Sequence, residues 1–86
     1  MPRFEVLVEV QLREGIADPQ GSTIERALPA LGYDDVHRVH VGKAIRFEID
    51  STDEGSARGQ VEELCKRFLT NPVIENASIT ISAATR

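Results

Sequence analysis

The chain has 86 residues with 14 acidic and 10 basic side chains, a net charge of −4, one tyrosine, no tryptophan and a single cysteine, Cys65. Basic residues do not cluster beyond Lys66 and Arg67, and there is no aromatic platform on which bases would stack, so nucleic acid is not an expected partner. A lone cysteine forms no intrachain disulfide, and a domain of this size buries only about 60 to 65% of the surface its unfolded chain exposes, so packing or oligomerisation must supply the stability.

No apolar run approaches the roughly 18 residues of a membrane helix. The opening MPRFEVLVEV lacks the long apolar stretch and cleavage site of a signal peptide. No membrane partner is expected, and the chain is expected in the cytoplasm as a single domain over residues 1–86. There are no internal repeats; the only linker-like stretches are Ser51 to Gly55 and the tail from Ala83 to Arg86.

Phe4, Val6, Val8, Val10 and Leu12 alternate with Glu5, Leu7, Glu9 and Gln11, the period of a strand with one core face. Leu7 interrupts the polar face, a sign that this side of the sheet is also partly covered, by another subunit. A helix is predicted from Pro19 to Leu31, with Ile24, Ala27, Leu28 and Leu31 on one stripe. Pro29 removes the hydrogen bond to the Glu25 carbonyl, so the last turn loosens before Gly32 ends it. At its start Asp18 is a good N-cap, Pro19 suits the first helical position, and Gln20 and Gly21 fill the first turn. Glycine there costs ~0.8 to 1 kcal/mol relative to alanine. Gly21 therefore marks close approach by another backbone or a ligand, and with no basic residue beside it the turn suits packing better than phosphate.

VHRVHVGKAIRFEI, from Val36 to Ile49, admits two readings. A hairpin turning at Gly42 and Lys43 would set Val39 against Arg46 and His37 against Glu48, mixing core with surface. One long strand, bent or bulged at Gly42, instead puts Val39, Val41, Ile45, Phe47 and Ile49 on one face with only Lys43 out of keeping. The long strand is favoured. It outruns the usual strand of about five or six residues, so its excess length is expected to pair with another subunit.

A second helix is predicted from Thr52 or Asp53 to Leu69, with Ala57, Val61, Leu64, Cys65 and Phe68 on its stripe. Ser51 and Glu54 have capping-box spacing, and Asn71-Pro72 stops the helix. A last strand from Val73 to Ser82 aligns Ala77, Ile79 and Ile81. The order β-α-β-α-β gives an α+β fold, two helices on an antiparallel sheet, related to the ferredoxin-like arrangement.

Few residues offer chemistry. His37 and His40 lie three apart on a strand, hence on opposite faces, and no third ligand accompanies them. Cys65 sits on a helix stripe as a small apolar residue. Glu62 with Glu63 and Asp34 with Asp35 are solvated surface. No Gly-x-Ser-x-Gly, Walker-type or dinucleotide fingerprint is present. Lys43 differs: it occupies an apolar alternation after a glycine, so its stem packs while the ammonium emerges at an edge, where it suits an acidic or phosphorylated partner.

Three stretches resemble the PurS family, the small subunit of phosphoribosylformylglycinamidine (FGAM) synthase. Asp18-Pro19-Gln20-Gly21 is similar to its first-helix motif and Val41-Gly42-Lys43 to the motif of its long central strand. Leu69, Asn71, Val73, Ile74 and Glu75 follow its closing pattern Leu-Ala-Asn-x-Val-Ile-Glu-Asp, with Thr70 and Asn76 as departures. The resemblance implies a non-catalytic subunit in de novo purine (IMP) biosynthesis. Its partners would be a large synthetase subunit (PurL), which holds ATP and magnesium, and a glutaminase subunit (PurQ), which supplies ammonia. No cofactor, metal or catalytic residue is implied in this chain. The resemblance also implies a homodimer with exchanged strand segments, or a tetramer built from it. Asp18, Pro19, Gln20, Gly21, Gly42, Lys43, Asn71 and Glu75 would lie at partner or subunit contacts. The alternative is a small dimeric regulatory module binding an amino acid or nucleotide at its subunit boundary; a stand-alone enzyme ranks last.

Overall fold

A computed structural model describes residues 1–84. The first strand, β1, runs over Arg3–Leu12 and forms the centre of a three-stranded sheet between β2, Lys43–Asp50, and β3, Glu75–Ala83, both antiparallel to it. The alternation in β1 decides which face is core: Phe4, Val6, Val8 and Val10 are all buried. Register then carries the apolar face sideways, with Val6 opposite Phe47 and Ile81, and Val8 opposite Ile45 and Ile79. A helix, α2, over Glu54–Leu64, closes this face with Ala57 and Val61, both fully buried, followed by Cys65. The opposite face of the sheet carries Glu5, Glu9, Arg46 and Thr80 around a half-buried Leu7. No element of the described chain covers it in the way that α2 covers the core face.

The first helix, α1, covers Pro19–Ala27 and is shorter than its apolar pattern predicts. Pro29 has no N–H to continue the α-helical ladder, so Pro29–Leu31 tightens into a 3-10 turn, closed by Gly32 at φ 95° with its N–H donating to the Pro29 carbonyl. The stripe stays exposed in the single chain, Ile24 at 46% and Leu31 at 70%. The helix hangs from the end of the sheet instead of lying across it. The radius of gyration is accordingly 16.8 Å and the molecule measures 53 × 32 × 14 Å, against about 12 Å for a compact domain of this length.

Four further boundaries differ from the sequence reading. Asp53, not Ser51, caps α2: Asp53 Oδ1 accepts the Ser56 N–H at 2.7 Å, while Ser51 is buried and its N–H donates to the Pro2 carbonyl. Ser51 to Gly55 thus leads from one buried serine into a capped helix start and is not a linker. After Leu64 the helix widens into a π turn over Cys65–Leu69, closed by the Thr70 N–H on the Cys65 carbonyl. The extra residue shifts the stripe by one position, so Leu69 packs on the core and Phe68 is 80% exposed. The long strand expected from Val36 is shorter: it is the edge strand β2, whose ladder begins at Lys43, opposite Val10. Residues 36–42 lie past the last β1–β2 pair, so no strand among the described residues pairs with them. Finally, β3 begins at Glu75, because Ile74 and Glu75 both donate to the Asn71 carbonyl in a turn. Ala77 in that strand is exposed, and of the supposed tail Ala83 ends β3 while Thr85 and Arg86 lie outside the described residues.

Candidate functional site

The N-terminus of α1 is organised by one carboxylate. Asp18, its side chain only 9% exposed, accepts the Gly21 N–H through Oδ1 and the Val41 N–H through Oδ2, each at 2.9 Å. The first bond is the expected cap; the second ties the helix to a residue 23 positions later. Donation from Gly21 and then Val41 holds the Asp18 carboxyl below the usual carboxylate range, against the opposing effect of burial, with His40 Nδ1 at 3.4 Å adding to it.

Two glycines make this junction possible. A Cβ on Gly21 would collide with the Val39 carbonyl, and one on Gly42 would stand 2.6 Å from the Val10 carbonyl. The close approach expected at Gly21 is therefore an approach of backbone to backbone, with the 39–42 segment wedged between α1 and the end of β1. A second carboxylate on the same helix, Glu25, accepts the Val39 N–H at 3.0 Å.

Lys43 opens β2 at this end of the sheet and is exposed. Among the described residues it has no carboxylate within ion-pair distance. Around it, Asp18, Pro19, Gln20, Gly42 and Glu75 border one cleft. Glu75 accepts the Asn71 N–H at 2.7 Å, and Asn71 Oδ1 accepts the Val73 N–H at 3.1 Å, so these two form the turn that delivers β3 to the cleft. The guanidinium of Arg13 donates twice to the Pro72 carbonyl, at 2.7 and 3.1 Å, which fastens that turn to the end of β1. A wider groove of about 680 Å³ continues past Arg13, Gly15 and Ile16 to His40.

Of the eight residues singled out in the sequence, six thus meet at the cleft; Gly21 sits behind it against Val39, and Asn71 reaches it through Glu75. His40 leans on Asp18, while His37 is exposed. Among the described residues no three metal-ligating side chains converge. Cys65 is buried, and desolvation, with a smaller push from Glu62, raises its thiol pKa. Sequence reasoning missed Glu25 and Arg13. Glu25 stands seven residues, about two helical turns, after Asp18, a spacing that places both on one side of α1; Arg13 left no such signal. Taken together the site offers an ammonium, an amide, a carboxylate and extended backbone, groups suited to hydrogen-bonded docking.

No helix among the described residues is long and apolar enough to cross a membrane. Residues 5–83 match the family model PurS, phosphoribosylformylglycinamidine (FGAM) synthase. The chain is 38% identical over 80 residues to phosphoribosylformylglycinamidine synthase subunit PurS of Synechocystis sp., covering 93% of this chain and 80% of that one. The fold superposes on the crystal structure of Methanocaldococcus jannaschii PurS, one of the subunits of formylglycinamide ribonucleotide amidotransferase, with a TM-score of 0.85 at 35% identity, covering 95% and 99% of the two chains. It superposes equally on a chain in the structure of PurLQS from Thermotoga maritima, with a TM-score of 0.87 at 33% identity and coverage of 95% and 100%.

Proposed function

The chain belongs to the PurS family, and on that premise we propose that it is the small, non-catalytic subunit of phosphoribosylformylglycinamidine synthase in purine biosynthesis. In this reading the complex converts formylglycinamide ribonucleotide, ATP and glutamine to formylglycinamidine ribonucleotide, ADP, phosphate and glutamate. The large subunit holds ATP and magnesium, the glutaminase releases ammonia, and this chain joins them so that ammonia reaches the nucleotide. It carries no cofactor of its own and works in the cytoplasm. The observation that supports the reading is the convergence of three sequence-distant stretches, at Asp18–Gln20, Gly42–Lys43 and Glu75, on one cleft.

A homodimer is part of the proposal. The exposed stripe of α1, the unpaired 36–42 segment and a radius of gyration of 16.8 Å describe a chain whose surfaces call for a second copy. The deciding experiment measures synthase rate with purified large and glutaminase subunits, with and without this chain, using glutamine and separately ammonium as nitrogen source. Restoration of the glutamine-dependent rate alone supports the adaptor role. No response of either rate, with competent partners, rejects it.

A further inference from the structure

Residues 39–41 are held from one side as a strand would hold them, although the neighbour is a helix. N–H groups two residues apart in an extended chain point the same way, and Val39 and Val41 direct theirs at α1, onto Glu25 Oε1 and Asp18 Oδ2 at 3.0 and 2.9 Å. The Val39 carbonyl, on the same side, rests against Gly21. Immediately before Val39, Arg38 has φ 58°, the only non-glycine at positive φ among the described residues. A long side chain enters that region rarely and stays there only where its surroundings hold it. The Glu25 bond acts on the very next N–H.

We infer that Glu25 is a positioning residue: its carboxylate fixes Val39, sustains the positive φ at Arg38 and, with Asp18, keeps the 39–42 segment extended so that Gly42 and Lys43 are presented to a partner subunit. This inference rests on the assembly role proposed above. Glu25 touches no partner-facing cleft itself; it acts through the segment it holds.

The test compares Glu25→Ala, Glu25→Gln and Glu25→Ala combined with Arg38→Asn in the full chain, with two readouts. The first is amide hydrogen exchange at Val39. The second is titration of the chain into the purified large and glutaminase subunits with glutamine, read as half-saturating concentration and saturating rate. Glu25→Ala is expected to speed exchange at Val39 and raise the half-saturating concentration, each roughly tenfold, as loss of a charge-assisted hydrogen bond would, with the saturating rate unchanged. Glu25→Gln, whose amide oxygen still accepts, remains within about threefold of the parent. Adding Arg38→Asn recovers part of the loss, because asparagine tolerates the left-handed conformation. Unchanged Val39 exchange, or faster exchange with unaltered half-saturation, overturns the inference. Global unfolding of Glu25→Ala overturns it too, since a positioning role leaves the sheet and α2 intact. A parent chain that fails to stimulate the partners rejects the assembly role, whereas Val39 exchange still decides whether Glu25 holds the segment.

Discussion

The carbonyl of Val39 lies against the α-carbon of Gly21, in the space a side chain would need. A helix start and an extended segment 18 residues later in the chain are thereby joined backbone to backbone, and Asp18 locks the contact through Val41.

Gly21→Ala tests that contact. In an ordinary helix the change would stabilise by about 1 kcal/mol; here the methyl group meets a backbone carbonyl that cannot move without breaking the Asp18–Val41 bond. The expected result is net destabilisation of about 1 to 3 kcal/mol, measured by urea unfolding. A stabilised variant would contradict the described junction.

Asp18 makes acid stability depend on this junction. Its carboxyl titrates lower in the folded chain than in the unfolded one, so its contribution is present in full above the ordinary carboxylate value of about 4. That contribution fades as pH falls through the lower folded value. Asp50, held low first by its hydrogen bond from Arg3, adds a second contribution of the same sign. Asp18→Asn puts an amide nitrogen where Oδ2 or Oδ1 accepted. Thermal unfolding between pH 2 and 7 should show lower stability at neutral pH and a shallower acid decline, with the Asp50 part remaining; an unaltered profile would remove Asp18 from the account.

Lys43→Glu leaves the core untouched, because Lys43 is exposed at the first residue of its strand. It replaces the one cation that, among the described residues, lines a cleft already containing Asp18 and Glu75 with a third carboxylate. The isolated fold should survive, and association with the large subunit should weaken by about tenfold or more, as expected for a charge reversed at an interface. Binding measured by titration and found equal to that of the parent would take Lys43 out of the contact surface.

The π turn predicts an order of sensitivities. Leu69 packs on the core and Phe68 faces outward. Leu69→Ala should cost about 2 kcal/mol or more, whereas Phe68→Ala should stay within about 0.5 kcal/mol in urea unfolding of the same preparation. The reverse order would mean that α2 continues as an unbroken α-helix.

Much of this architecture was legible in the sequence because it rests on local periodicity. The alternation from Phe4 to Leu12 set the core face of β1, Ala57, Val61 and Cys65 marked the buried stripe of α2 although Leu64, expected on the same stripe, is exposed, and Asp18-Pro19 marked the start of α1. The motifs around Gly21, Gly42 and Asn71 carried the family resemblance. Tertiary structure alone decided what those motifs do together. Whether Val36 to Gly42 continues a ladder depends on where its backbone donors go: β1 runs on to Leu12, past its last pair with β2 at Val10 and Lys43, but the Val39 and Val41 N–H groups are taken by carboxylates of α1 and its cap. Which side of α1 matters depends on backbone N–H groups at Val39 and Val41, which no hydropathy pattern encodes. The π turn closed by the Thr70–Cys65 bond exchanges Phe68 for Leu69, and the buried face that receives Leu69 is supplied by the valines of β1. Periodicity reports which side of an element is apolar; the partners of a backbone donor, and the space beside a glycine, are set by chain brought from elsewhere in the sequence.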